Sequence, residues 1–442
     1  MKAKLTGYLA CLLLIGACQA NPGQATVPVE EPTAPDFAVW LAEFRAEAAR
    51  RGISPATLDA ALTAVMLDDE VIARDRHQPE LTRPIWDYLE AAVSDFRIAR
   101  GRTMLVRHAD VLRRVDRRYG VPPELIVAIW GVETDFGHFL GGFDTVGSLA
   151  TLAYDSRRSS YARRELFAAL QILDNGDAAP GELTGSWAGA MGHTQFVPTT
   201  FLNWAVDFDG DGRRNIWTSR TDALASTANY LTAYGWRRGR TWGEEVRLPA
   251  TFDWHLAELN VSRSAAGRPL SEWRALGVLR IDGGALARSA DTASLLLPAG
   301  HDGPAFLVNA NFRAILAYNN STSYALAVAL LSDRLARRTP VVAGWPASEP
   351  PLSRAEKLEL QRLLTDRGYE LGQIDGIVGP FTRASVRRFQ QEVGRPADGF
   401  PTYALLQQLR QMSAVVAPEA IPAAVPTGAA PRGHTGTSML AR

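Results

Sequence analysis

Apolar residues recur at helical spacing over most of the first three hundred positions. Phe37, Trp40, Leu41 and Phe44 share one face of a helix opening near Asp36, and Ser54 before Pro55 reads as an N-cap with a first-turn proline. Further helices are predicted from about 81 to 118, from Leu149 to Leu173, from Ala223 to Tyr234 and from Asn311 to Ala336. Between 240 and 310 the pattern changes to short alternating or apolar runs, Glu245–Leu248, Val278–Ile281 and Ala293–Leu297, broken by Gly, Pro and Asp as strands are. Pro340, Pro346, Pro350 and Pro351 mark 339–353 as a linker. Beyond it, 354–411 holds three short helices, Arg354–Arg367, Phe381–Glu392 and one near Tyr403–Gln411. The expected architecture is mainly α, with a small β-containing insertion in a large domain and a separate three-helix module. Residues 412–442, rich in Ala and Pro with little apolar patterning, are expected to be disordered.

One stretch departs from ordinary amphipathic patterning: Val121–Gly137, with Pro122 and Pro123 as a helix start and Gly137 as a stop. Ile126, Ile129 and Trp130 precede Glu133 by seven, four and three residues, and Phe136 follows by three, so a carboxylate sits on or beside an apolar face. Burial disfavours the charged form and raises its pKa, which suits a general acid near neutral pH. A core Glu neutralised by an Arg has the same pattern, and both readings stand. Asp135 lies about 200° around the helix from Glu133 and points away. The glycosidase arrangement of two carboxyl groups therefore has no local second member; substrate-assisted enzymes are the exception that a lone acid fits.

The 442 residues and 46% hydrophobic share allow two or three domains with sizeable cores. Lys plus Arg and Asp plus Glu number 47 each, so no net field points to nucleic acid. Eleven Trp and eleven Tyr suit sugar stacking, although most belong in cores. The two cysteines, Cys11 and Cys18, lie in the first twenty residues, which leaves the rest without disulfides or thiolate metal sites. Lys2, Lys4 and the apolar run Leu9–Ile15 read as a signal segment, too short to span a bilayer. Ile15-Gly16-Ala17-Cys18 resembles the lipobox of bacterial lipoproteins. That implies a signal peptide over 1–18, lipid on Cys18, a flexible tether over 19–35 and, with Gln19 following, the outer membrane; an ordinary cleaved signal is the alternative.

Three other constellations carry chemistry. Ser186–Pro198, SWAGAMGHTQFVP, sets small residues around Ser186 and Gln195, either for close approach of a ligand or as a tightly packed helix. Asp207, Asp209, Asp211 and Gly212 match positions 1, 3, 5 and 6 of an EF-hand loop, and Arg213 would offer its carbonyl at position 7. Position 12 is Thr218 in place of a bidentate Glu, and Asp222, four residues on, is the candidate to close the site. The competing reading is an Asx-rich turn held by its own side chains. Tyr318, Asn319 and Asn320 line a sugar site or an ordinary polar face.

Together the ordered segments RPIWDYL at 83, YGVPPELIVAIWGVETDFG at 119, SWAGAMGHTQFVPTTF at 186, DFDGDGRRNIW at 207, ANYL at 228 and NFRAILAYNNSTSYALAV at 311 resemble the membrane-bound lytic murein transglycosylase B family over 36–338. Residues 354–411, with GQIDGIVGPFTRASVRRFQ, are similar to peptidoglycan-binding domain 1. The resemblance implies a lysozyme-like fold and an enzyme that cleaves the β-1,4 bond between N-acetylmuramic acid and N-acetylglucosamine without water, leaving 1,6-anhydromuramoyl ends. It implies Glu133 as the single acid and base. Ser186 and Asn319 match positions near the acid and the acetamido group, and Gln195, Tyr88, Tyr230 and Tyr318 match sugar-contacting positions. Asp207, Asp209 and Asp211 match the family's calcium loop, with Asp222 as fourth side chain, although Thr218–Thr221 makes the spacer one residue longer than usual. No cofactor is required for the chemistry, and Ca²⁺ is structural. The expected partners are glycan strands and the outer membrane through the lipid anchor, with no nucleic acid, and the protein is expected to be a periplasmic monomer. The alternatives are a lysozyme-type hydrolase and a non-catalytic wall-binding scaffold.

Overall fold

The computed structural model describes residues 36–76, 83–155, 158–262 and 267–414. Cys18, the 1–18 signal, the 19–35 tether and the chain beyond 414 lie outside the described residues.

The centre of the large domain is the helix Pro123–Thr134. Leu125 through Gly131 are all buried, so the helix is apolar all round and sits inside the domain, with no exposed polar face. It packs most extensively on Thr322–Leu335, and also on Asp95–Arg107, Arg220–Ala233 and Ala109–Tyr119. It ends by turning left-handed three times in succession, at Asp135 (φ 48°), Phe136 (φ 62°) and Gly137 (φ 79°). The turn is closed by the Phe136 N–H donating to Trp130 O at 3.2 Å. Phe136 therefore leaves the helix face that its spacing predicts, and its ring folds back over Gly131. A Cβ there would come within 2.7 Å of that ring, so only glycine fits.

Several predicted long helices are broken. The 81–118 run becomes Ile85–Ala92, Asp95–Arg107 and Ala109–Tyr119, with Ser94 Oγ capping the second through the Arg97 N–H. Leu149–Leu173 divides into Thr145–Tyr154 and Ser159–Asp174. The consequential break lies in Asn311–Ala336, which is two helices, Ala310–Tyr318 and Thr322–Leu335. Asn319 is extended, and Ser321 Oγ accepts the Tyr324 N–H at 3.3 Å, starting the second helix afresh. At its far end Leu335 fills the space that Gly101 leaves open, and Arg102 donates to Arg334 O at 2.7 Å.

The predicted insertion is a five-stranded antiparallel sheet. Ala305–Val308, absent from the predicted strands because it is a bare four-residue apolar run, pairs with both Gly243–Arg247 and Thr292–Leu296. Leu279–Arg280 and Arg268–Pro269 form the edges. Val246, Trp273, Leu295 and Leu307 give this sheet its own core. The three C-terminal helices, Arg354–Asp366, Pro380–Glu392 and Tyr403–Ala414, close around Leu360, Leu364, Val386, Phe389 and Leu406. Ser353 and Glu356 form a capping box at the first of them. Residues 412–414 belong to the last helix and not to a disordered tail.

Candidate active site

Glu133 is 5% exposed, one residue before the end of its helix. Burial pushes its pKa up to about 8, against the opposing pull of a hydrogen bond from the Tyr324 hydroxyl, 2.6 Å from Oε1. Among the described residues no ion pair reaches it and no other carboxylate acts on it. The reading of Glu133 as a core acid neutralised by Arg is therefore overturned. Asp135, two residues on, is the acid that arginines hold: it bonds to Arg100 and lies 3.9 Å from Arg97 Nε.

Tyr88, Tyr318 and Tyr324 surround the acid closely enough that, after burial, its charge is a cause of their raised pKa values. The three phenols keep their protons, and Tyr318 and Tyr324 use theirs as hydrogen-bond donors. Tyr324 was not among the sequence candidates. Its signal was the polar run Asn319–Ser323 just before it, which is rich in helix-capping residues. The Tyr318 hydroxyl is turned to Thr194 O at 2.6 Å, and that of Tyr230 to Ala317 O at 2.5 Å. Their rings, with Gln195, Tyr234 and Asn320, line a cavity of about 260 Å³.

Ser186–Pro198 is a chain of turns and not a packed helix. Ser186 Oγ accepts the Ala190 N–H at 3.0 Å and the Ala188 N–H at 3.3 Å, so its oxygen holds the loop while its proton stays available. Gln195 takes φ 54°, a conformation uncommon outside glycine. Its Nε2 donates to Gly192 O at 3.0 Å and to Leu140 O at 3.2 Å, and its Oε1 is buried with no partner among the described residues. A buried acceptor left open at a cavity wall is suited to a ligand donor. Asn319 is 5% exposed, at the break that also sets Tyr324. His193 lies behind the loop; it accepts from Trp130 Nε1 at 3.3 Å, and burial lowers its pKa to about 4. It is a neutral packing residue and has no cluster of metal-ligating neighbours among the described residues.

Oxygens of Asp207, Asp209 and Asp211 lie within 4.8 Å of one another on an exposed loop, which fits a hard cation with oxygen ligands. Asp222 is not in that group. Its Oδ1 accepts the N–H groups of Phe208 (2.8 Å) and Asp209 (3.3 Å), and its Oδ2 accepts that of Asn215 (2.9 Å), with the side chain fully buried. The expectation that it supplies a fourth metal oxygen is corrected: it ties both ends of the loop together from beneath. The Asn215 oxygen is likewise taken by Trp217 and Thr218 N–H groups. Among the described residues, the oxygens gathered on this loop are those of the three carboxylates.

Residues 36–333 match the transglycosylase SLT domain family, two thirds of the chain. The chain belongs to that family. Residues 353–409 match a peptidoglycan binding domain family. Among SLT relatives, membrane-bound lytic murein transglycosylase B of Escherichia coli (strain K12) is 36% identical over 238 residues, 52% of this chain and 61% of that protein. The chain thus spans about three fifths of the length of that curated relative. SltB3 from Pseudomonas aeruginosa, crystallised with NAG-anhNAM-pentapeptide, superposes with a TM-score of 0.81 at 52% identity, covering 85% of this chain and all of that one. Escherichia coli Slt35 in complex with calcium has a TM-score of 0.58 at 30% identity, over 69% of this chain and 94% of that one. With these matches the SLT family membership and its mainly helical, lysozyme-like fold stand as the sequence motifs implied.

Proposed function

We propose that the protein is a peptidoglycan lytic transglycosylase in which Glu133 acts alone, first as acid and then as base. The observation that carries the reading is a buried carboxyl that holds its proton to about pH 8, with one phenol as partner and no charge beside it. As acid, Glu133 gives that proton to the oxygen linking N-acetylmuramic acid to N-acetylglucosamine. The C1–O bond breaks as the muramoyl 2-acetamido oxygen closes on C1. As base, the Glu133 carboxylate takes the proton of the same sugar's 6-hydroxyl, whose oxygen attacks C1 and displaces the acetamido oxygen. The proton is back on Glu133 and no water is consumed. Among the described residues no like charge acts on Glu133, which favours this over a two-carboxylate hydrolysis. A relative that binds an anhydromuramoyl peptide supports the same product. Ser186, Asn319, Tyr88, Gln195, Tyr230 and Tyr318 are assigned to substrate binding, with the open Gln195 acceptor facing sugar hydroxyls or amides.

Mass spectrometry of digested sacculi tests the reaction. Anhydromuramoyl ends are expected; ends heavier by one water would make the enzyme a hydrolase.

Tyr324 has a positioning role in this reading. Its hydroxyl favours the charged carboxylate, so Tyr324→Phe is expected to push the Glu133 pKa higher and shift the alkaline limb of the pH–rate profile upward. A lost hydrogen bond to a charged group, about 1.5 kcal/mol, corresponds to roughly a tenfold slower rate near neutral pH. A slower enzyme with an unmoved alkaline limb would assign Tyr324 a packing role only.

The family relationship also supports a structural Ca²⁺ at Asp207, Asp209, Asp211 and the Arg213 carbonyl, which takes no part in the chemistry. Lipid attachment at Cys18 would hold the enzyme at the outer membrane, with 354–411 engaging the wall. Cys18→Ser is expected to release the protein into the soluble periplasmic fraction; unchanged membrane fractionation would rule the anchor out.

A further inference from the structure

The C-terminal module is docked on the large domain, and the junction encloses a cavity of about 220 Å³. Its walls come from four separate segments: the start of the Ile85–Ala92 helix with Trp86, the sheet loop 298–302, the linker 346–352, and the module through Lys357, Arg383 and Phe400. Docking is specific. Asp398 Oδ2 accepts the His301 N–H at 2.7 Å and lies 2.8 Å from His301 Nδ1, and Arg387 donates to Ala257 O at 2.8 Å. Gly300 (φ 75°) is so close to the module that a Cβ would stand 2.8 Å from Asp398 Oδ2.

Most charged groups around this cavity are accounted for. Asp398 is held by His301, Gln390 and the Phe400 N–H. Glu349 accepts the Ala404 N–H at 2.6 Å, and Asp302 lies 3.4 Å from His301 Nε2. Arg383 donates to Leu297 O at 3.2 Å and has the Asp398 charge acting on it, although its Nε is buried without a hydrogen-bond partner among the described residues. Lys357 is different: its ammonium makes no hydrogen bond or ion pair with the described residues, although it is partly buried in the cavity wall. Burial lowers its pKa and no carboxylate offsets this. An ammonium partly stripped of water without a counter-charge is costly, and an anion is the partner that relieves the cost. The rest of the lining is largely apolar, with Trp86, Pro351, Leu352 and Phe400, which suits an anion carrying small hydrocarbon groups.

We infer that this junction is a second binding site, for the carboxylate end of a short peptide with small apolar residues, with Lys357 pairing the carboxylate and Trp86 and Phe400 covering the side chains. The inference rests on the proposed function for the source of that peptide, the stem peptides of the wall. Because both domains wall the cavity, an occupied site strengthens the docking of the module.

The test is calorimetric titration of the full chain carrying Glu133→Gln with diacetyl-L-lysyl-D-alanyl-D-alanine and with its C-terminal amide. The acid is expected to bind at least tenfold tighter than the amide. Lys357→Met should bring the acid down to the affinity of the amide and leave the amide unchanged, which also shows that the variant is folded. Gly300→Ala, which pries the junction open without touching Lys357, should weaken both. Absence of binding, or an acid preference that survives Lys357→Met, overturns the proposal. No cleavage enters this assay, so failure of the transglycosylase reading, seen in the products from sacculi, is separately recognisable.

Discussion

Replacing Glu133 with Gln is expected to slow glycan-strand cleavage by about 10²–10⁴-fold, the span of a positioned general acid and base, and at the same time to raise the melting temperature. The first effect follows from removing the carboxyl proton while keeping the shape and the Tyr324 contact. The second follows from linkage. The carboxyl titrates near 4.5 when unperturbed and at about 8 in the fold, so between those values the folded state binds more protons than the unfolded chain. Stability contributed by the group is complete below about pH 4.5 and is lost as pH rises toward 8. Gln carries no such dependence. The gain in melting temperature should therefore be small at acid pH and largest at and above pH 8. Cleavage at the wild-type rate would remove Glu133 from the chemistry; a gain independent of pH would mean that the acid is not buried as described.

Asp222→Ala is expected to destabilise the protein by about 3–6 kcal/mol in urea unfolding, because three backbone N–H groups each lose a partner worth about 1–2 kcal/mol. The groups belong to Phe208, Asp209 and Asn215, so the loop loses both its ends at once. Asp207→Ala should behave oppositely. Its three N–H partners, Gly210, Asp211 and Gly212, are exposed and turn to water at little cost. The variant should instead lose the rise in melting temperature that millimolar calcium is expected to give the wild type. Should Asp222→Ala unfold normally in urea yet lose the calcium response, Asp222 is a metal ligand after all and the correction made above is wrong.

These residues also separate what was legible in the chain from what was not. The acid-bearing helix was readable because proline start, apolar run and carboxylate lie within one short window, and the three-helix module because each helix has its own cap or proline. The division at Asn319–Ser321 was not, since apolar spacing runs on across it; only the local cluster of capping residues marked it. With it went Tyr324, whose role depends on a helix starting at that point. Asp222 failed for another reason. Spacing reveals an acid near three others, but whether it meets a cation or backbone donors is decided by burial, which loop length does not report. Gln195 stands out in the sequence by its polar side chain among glycines, while its amide is turned by contacts to Leu140 and Gly192 that spacing does not show.

The helix that supplies the Tyr324 phenol is also the last element before the linker to the module. Tension on a module gripped by the wall would be met first where Asp398 holds His301 and Arg387 holds Ala257 O, then where Glu245 accepts the Val342 and Ala343 N–H groups of the linker, and only after these at the Arg102 bond to Arg334 O and at Leu335. Tyr324 lies eleven residues upstream, about 16 Å along the axis. Contacts arranged in this order would act as a strain relief, keeping load at the rim and away from the Tyr324–Glu133 hydrogen bond.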